Sequence, residues 1–119
     1  MPARELEIGT SKYTRVFARD ERGAGNANHL YSINQAKVPA VILGEVKFQK
    51  GPIKENAVNG VMNEDLIAIV IDRMEGFQSG KYACRENAIA LTKLEESLLW
   101  LRKRTMDRER RGVEGTSAL

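Results

Sequence analysis

Arg104 and Arg108 stand four residues apart in the segment RKRTMDRERR, the spacing that brings two side chains onto one face of a helix. Two planar guanidinium forks at that separation can grip one phosphate or pyrophosphate. Asn87 can donate and accept, and an amide beside free helix N–H groups suits a phosphate or a base edge. Phe77 supplies a flat apolar face. An aromatic face, an amide and an arginine pair are what an adenine and its phosphates require. Each has a plainer alternative. The arginines also suit a solvated helix end with Asp107 and Glu109 as ion partners, Asn87 a helix-start position, and Phe77 a core position.

The element that must carry most of these residues runs from Arg85 to Gly112. Its apolar residues recur at helical spacing, and no Pro or Gly interrupts it before Gly112. Asn87, Leu91, Leu94, Leu98, Leu101 and Thr105 project onto one narrow stripe, with Arg108 and Arg104 on its flank. Ile89 and Trp100 fall off that stripe, which points to a second apolar surface for assembly or to packing over a sheet. Upstream, Asn63 reads as an N-cap before Glu64 and Asp65. Leu66, Ile69, Val70, Met74 and Phe77 follow at helical spacing, and Gly80 is placed to stop the helix. So short a link forces the two helices back on each other as an antiparallel hairpin. At 1.5 Å per residue the second helix would be about 40 Å long, and Asn87 would stand about 25 Å from Arg104. No small nucleotide spans that within one chain. If both residues touch one ligand, the arginines come from a second protomer.

The first half alternates instead. Residues 13–19, 29–33 and 40–49 read as three strands of a small antiparallel sheet, preceded by a loose arm over residues 1–12. Between the first two strands lies Arg22, Gly23, Ala24, Gly25, Asn26 and then His29, a loop whose backbone N–H groups could form an anion nest or simply turn a hairpin. It matches neither a P-loop nor GxGxxG. The predicted fold class is α+β: a small N-terminal antiparallel sheet (residues 1–58) packed on a long antiparallel helical hairpin (residues 59–119), one compact domain overall. The tail after Gly112 has little of its own to order it.

Composition narrows the chemistry. The 119 residues carry a net charge of +3. Between Arg102 and Arg111 six basic residues face two acidic ones, a local +4, so the rest of the chain sums to −1. One cysteine, Cys84, excludes an internal disulfide or a cysteine-cluster metal site, and one histidine argues against a histidine metal centre or a nucleophile–histidine pair. We therefore expect no metal, no cofactor and no catalytic residues. No apolar run reaches the length of a membrane span and MPARELEIG is no signal peptide, so the expectation is a soluble intracellular protein.

The stretch from Phe48 to Thr116, and above all NEDLIAIVIDR, RENA and RTMDRERRGVEGT, resembles the first-described phage Thoeris anti-defence family, whose helical hairpin is shared with phage anti-CBASS sponge proteins. The resemblance implies a non-enzymatic sponge. Such proteins sequester cyclic ADP-ribose isomers made by TIR proteins, and some hold cyclic di- or trinucleotides at a separate site. They assemble through the hairpins as homodimers or homohexamers and work in the host cell cytoplasm. By motif, the ligand residues carried over are Phe77, Asn87, Arg104 and Arg108. The loop of Arg22, Gly23, Ala24, Gly25, Asn26 and His29 is the candidate second site, although Asn26 stands where the family favours glycine. The alternative is a nucleic-acid-binding or structural oligomeric hairpin protein, for which one short basic cluster interrupted by acids is a weak footprint.

Overall fold

A computed structural model describes residues 3–9 and 12–119, in two compact units, Met1–Val61 and Met62–Leu119. The first unit holds a four-stranded antiparallel sheet in chain order: β1 (Arg4–Glu5), β2 (Thr14–Ala18), β3 (Leu30–Gln35) and β4 (Ile42–Lys47). The α+β class is therefore as the sequence predicts, with one strand more. Part of the arm expected to be loose pairs as β1, Glu5 opposite Phe17, because the Glu5 carboxylate also takes both Nε and Nη2 of Arg15 at 2.9 and 2.6 Å. Residues 1, 2, 10 and 11 of that arm lie outside the described residues.

The register sets Val16, Ile33 and Gly44 in one row and Phe17, Ser32 and Glu45 in the next, so apolar and polar rows alternate between the two faces. The polar face is enclosed along β3. Ser32 and Asn34 are 1% and 2% exposed, and their polar atoms are all engaged. Arg19 donates to the Ser32 hydroxyl at 2.6 Å, Ser32 to Asn34 Oδ1 at 2.8 Å, and the Asn34 amide to the Pro39 carbonyl at 2.6 Å. Ala18 is the one buried hydrophobic residue among those described. After β4 the chain makes one helical turn, α1 (Ile53–Asn56), and Val61 then forms a parallel bridge to Phe48. Gly60 makes that return possible, since a Cβ there would overlap the Phe48 carbonyl.

The second unit is two helices, α2 (Asn63–Gln78) and α3 (Arg85–Arg111), packed on each other. The N-cap of α2 is Met62 rather than Asn63: the Asp65 carboxylate accepts from the Met62 N–H at 2.8 Å, the acid of a capping box acting alone. α3 ends as predicted, with Gly112 left-handed at φ 74°. Every member of its predicted stripe, Asn87, Leu91, Leu94, Leu98, Leu101 and Thr105, is half-buried. In α2 the shielded stripe is Ile67, Ile71, Met74 and Gln78, whereas Ile69, Val70 and Phe77, placed on the predicted apolar face, are exposed. That helix is apolar on several sides, so its sequence period does not single out the side that packs. No described residue of either helix is fully buried. No described helix is long and apolar enough to cross a membrane.

Candidate functional site

The end of α3 gathers the charge. Trp100, Lys103, Arg104, Asp107, Arg108 and Arg111 line an open depression of about 430 Å³, four cations to one acid. Arg104 and Arg108 thus share one concave surface, as their spacing predicts. Their states differ. Asp107 is taken by Lys103 at 3.2 Å and Arg110 at 3.6 Å, exposed pairs that contribute under about 1 kcal/mol each. Arg104 is exposed and forms no ion pair among the described residues. Arg108 is half-buried and directs one terminal nitrogen at the carbonyls of Val113 and Thr116, 3.2 and 3.0 Å away. Those bonds, with Thr116 Oγ1 donating to the Val113 carbonyl, order a tail that the sequence gives no reason to order.

The other end of the hairpin is a pinned bend. The Gln78 amide closes it from both sides, accepting from the Cys84 N–H at 2.9 Å and donating to the Cys84 carbonyl at 3.1 Å. Cys84 then caps α3, its Sγ accepting from the Asn87 N–H at 3.4 Å. Asn87 therefore lies within the first turn, its backbone donor used and its side-chain amide without a hydrogen bond among the described residues. Phe77 is 37% exposed. It meets Tyr82 edge to face at 6.5 Å, with the Arg73 guanidinium 5.0 Å from its ring centre. Sequence reasoning passed over Tyr82 and Arg73. Arg73, four residues before Phe77 on a helix, carries a readable signal; Tyr82, in an aperiodic bend, carries none.

The glycine loop is a self-bonded turn. Gly23 and Asn26 spend their N–H groups on the Ala27 and Gly23 carbonyls, and Gly25 and Asn26 take positive φ of 70° and 62°. His29 Nε2 lies 2.9 Å from the Ala24 carbonyl, so that nitrogen carries the proton. Beside the loop stands the Asp20 carboxylate. Burial pushes its pKa up, but bonds from the His29 N–H, the Asn28 amide and the Leu30 N–H outweigh that and hold it below the usual range. Arg22 is exposed.

Comparison with known proteins agrees with the hairpin. The family described as Acb2/Tad1, hairpin domain, matches residues 42–106, more than half of the chain. A protein of Bacillus phage SBSphiJ7 named Thoeris anti-defense 1 is 64% identical over 138 aligned positions, covering 95% of this chain and 97% of the relative. This chain belongs to the Thoeris anti-defence family. The hairpin-domain match takes in Phe77, Asn87 and Arg104 and stops two residues short of Arg108, the side chain onto which the tail folds back.

Proposed function

We propose that this protein is a phage anti-defence sponge: it binds cyclic ADP-ribose-type signalling nucleotides, glycocyclic ADP-ribose first among them, and withholds them from the Thoeris effector without cleaving them. It would act in the host cytoplasm as a homodimer or homohexamer. A second capacity for cyclic di- or trinucleotides of CBASS systems would fall to the loop of Arg22 to His29. Family membership supports the anti-defence role.

The observation that carries the ligand class is the uncompensated charge of Arg104 beside Arg108 in one open depression, on the same hairpin as an exposed ring and an unused amide. Asn87 and Arg104 are 17 residues apart on one helix, about 25 Å, so one end of one copy and the other end of a second copy are needed to enclose one ligand. In that arrangement Phe77 stacks on adenine, Asn87 bonds the base or a phosphate, and Arg104 with Arg108 neutralises the pyrophosphate. Sequestration depends on affinity rather than turnover, and nanomolar binding corresponds to about −12 kcal/mol. Two charge-assisted contacts and a stack supply part of that, and exclusion of water the remainder.

The test is to incubate the protein with each cyclic ADP-ribose isomer, remove the unbound fraction, release the bound fraction by heat and weigh it by mass spectrometry. Intact ligand recovered in proportion to protein supports the sponge. A cleaved product would make it an enzyme, and no retention of any isomer would end this reading.

A further inference from the structure

Resting on the sponge reading, we infer that Tyr82 is a specificity-determining residue of the ligand site, forming with Phe77 a two-walled corner for the base, with Arg73 lying over the Phe77 ring and Lys81 over the Tyr82 ring. The four side chains stand in a row at the bend. The Arg73 guanidinium lies 5.0 Å from the Phe77 ring centre, Phe77 meets Tyr82 at 6.5 Å with the rings inclined at 85°, and the Lys81 ammonium lies 5.4 Å from the Tyr82 ring centre. All four are exposed, Tyr82 at 66%. Neither cation is ion-paired among the described residues.

Two perpendicular rings do what one cannot. A base stacked on a single face is free to rotate in the plane of stacking; a second wall at right angles meets its edge and fixes that rotation. The direction in which the ribose leaves the base is fixed with it, and a ring closed between its two riboses holds its pyrophosphate at one place relative to that direction, whereas an open chain must give up many conformations to match it. The corner is stiff enough for this. The Gln78 amide clamps Cys84, and the Ser79 hydroxyl donates to the Gly76 carbonyl at 2.7 Å, so Tyr82 stands on a closed loop of hydrogen bonds. Two unpaired cations against the rings hold them by cation–π attraction and favour a ligand that brings negative charge.

The experiment is calorimetric titration of the full chain with glycocyclic ADP-ribose and with open-chain ADP-ribose, comparing the unaltered protein, Tyr82→Ala, Tyr82→Phe and Arg104→Ala, with the assembly mass of each variant measured in parallel. Tyr82→Ala should weaken the cyclic ligand about tenfold, narrow the ratio between cyclic and open-chain affinities, and leave the assembly mass unchanged; Tyr82→Phe should recover most of the affinity. Arg104→Ala should weaken both ligands together and leave their ratio intact. Unchanged binding by Tyr82→Ala overturns the inference alone, as does a smaller assembly mass, which would make Tyr82 an interface residue. Absence of binding by the unaltered protein overturns the sponge reading and the inference with it.

Discussion

Arg108 donates from a single guanidinium nitrogen to the carbonyl of Thr116 at 3.0 Å, across the left-handed turn that Gly112 makes at the end of α3, and to Val113 on the way. The bond gives Arg108 two tasks where Arg104 has one. Its Nη2 is committed to the tail, while Nε and Nη1 stay available on the depression they share with Arg104.

Arg104→Ala should therefore sharply reduce ligand retention and leave thermal stability within about 0.5 kcal/mol, as exposed substitutions do. Arg108→Ala should lose retention and also free the tail, read as faster amide exchange over residues 113–116. Arg108→Lys keeps the charge but not the fork, and should restore neither fully. Equal exchange in all three proteins would show the tail bonds to be unimportant; retention unchanged in both alanine variants would remove both arginines from the site.

The Gly60 position tests the first unit independently of any ligand. An added methyl group has to displace the Phe48 backbone, which cannot swing aside as a flexible side chain would. Gly60→Ala should cost about 1–3 kcal/mol in denaturant unfolding, the range of overpacked sites. Gly76→Ala, where a Cβ meets nothing, should be neutral or stabilising, since Ala is the better helix former. Comparable midpoints for the two variants would contradict the close approach of Gly60 to Phe48.

What could be read from the residues alone follows from how local its cause is. The stripe from Asn87 to Thr105 is set by helix period, and every member is half-buried. The arginine pair is set by the same period, and it does share a surface. β1 could not be read, because two residues have no period; it exists through the Glu5–Arg15 pair, ten positions apart. The packed side of α2 differs from the predicted one because Ile67, Ile69, Val70 and Ile71 lie close enough together to suit several faces. The ordered tail and the Tyr82 corner depend on side chains reaching bends, for which spacing carries no information.

Acid should loosen the glycine loop through Asp20. Its folded pKa lies below the ordinary carboxylate value, so the stability it contributes is fully present above about pH 4 and is lost as pH falls through the lowered folded value. In melting curves across pH, the unaltered protein should exceed Asp20→Asn by a constant margin near neutrality. That margin should narrow below about pH 4. A margin that instead grew toward low pH would mean that the hydrogen bonds from His29 and Asn28 do not favour the ionised form.

Assembly is the remaining prediction, and the surface of one chain argues for it. Within the hairpin unit Ile69, Val70, Leu99, Trp100 and Met106 are all exposed, Trp100 at 70%, and no described residue of either helix is buried. Helices of 16 and 27 residues with only half-buried seams lack the enclosed apolar area that offsets chain entropy. A second copy laid along the hairpin would cover those side chains, and in antiparallel alignment it would bring the Arg104 end of one chain to the Phe77 end of its partner. Sedimentation should give a mass of at least twice 13.3 kDa. Leu99→Asp should lower that mass and abolish ligand retention together, because the proposed pocket is built from both chains. A protein that sediments as a single chain and still holds its nucleotide would overturn the shared site, whatever the arginine variants do.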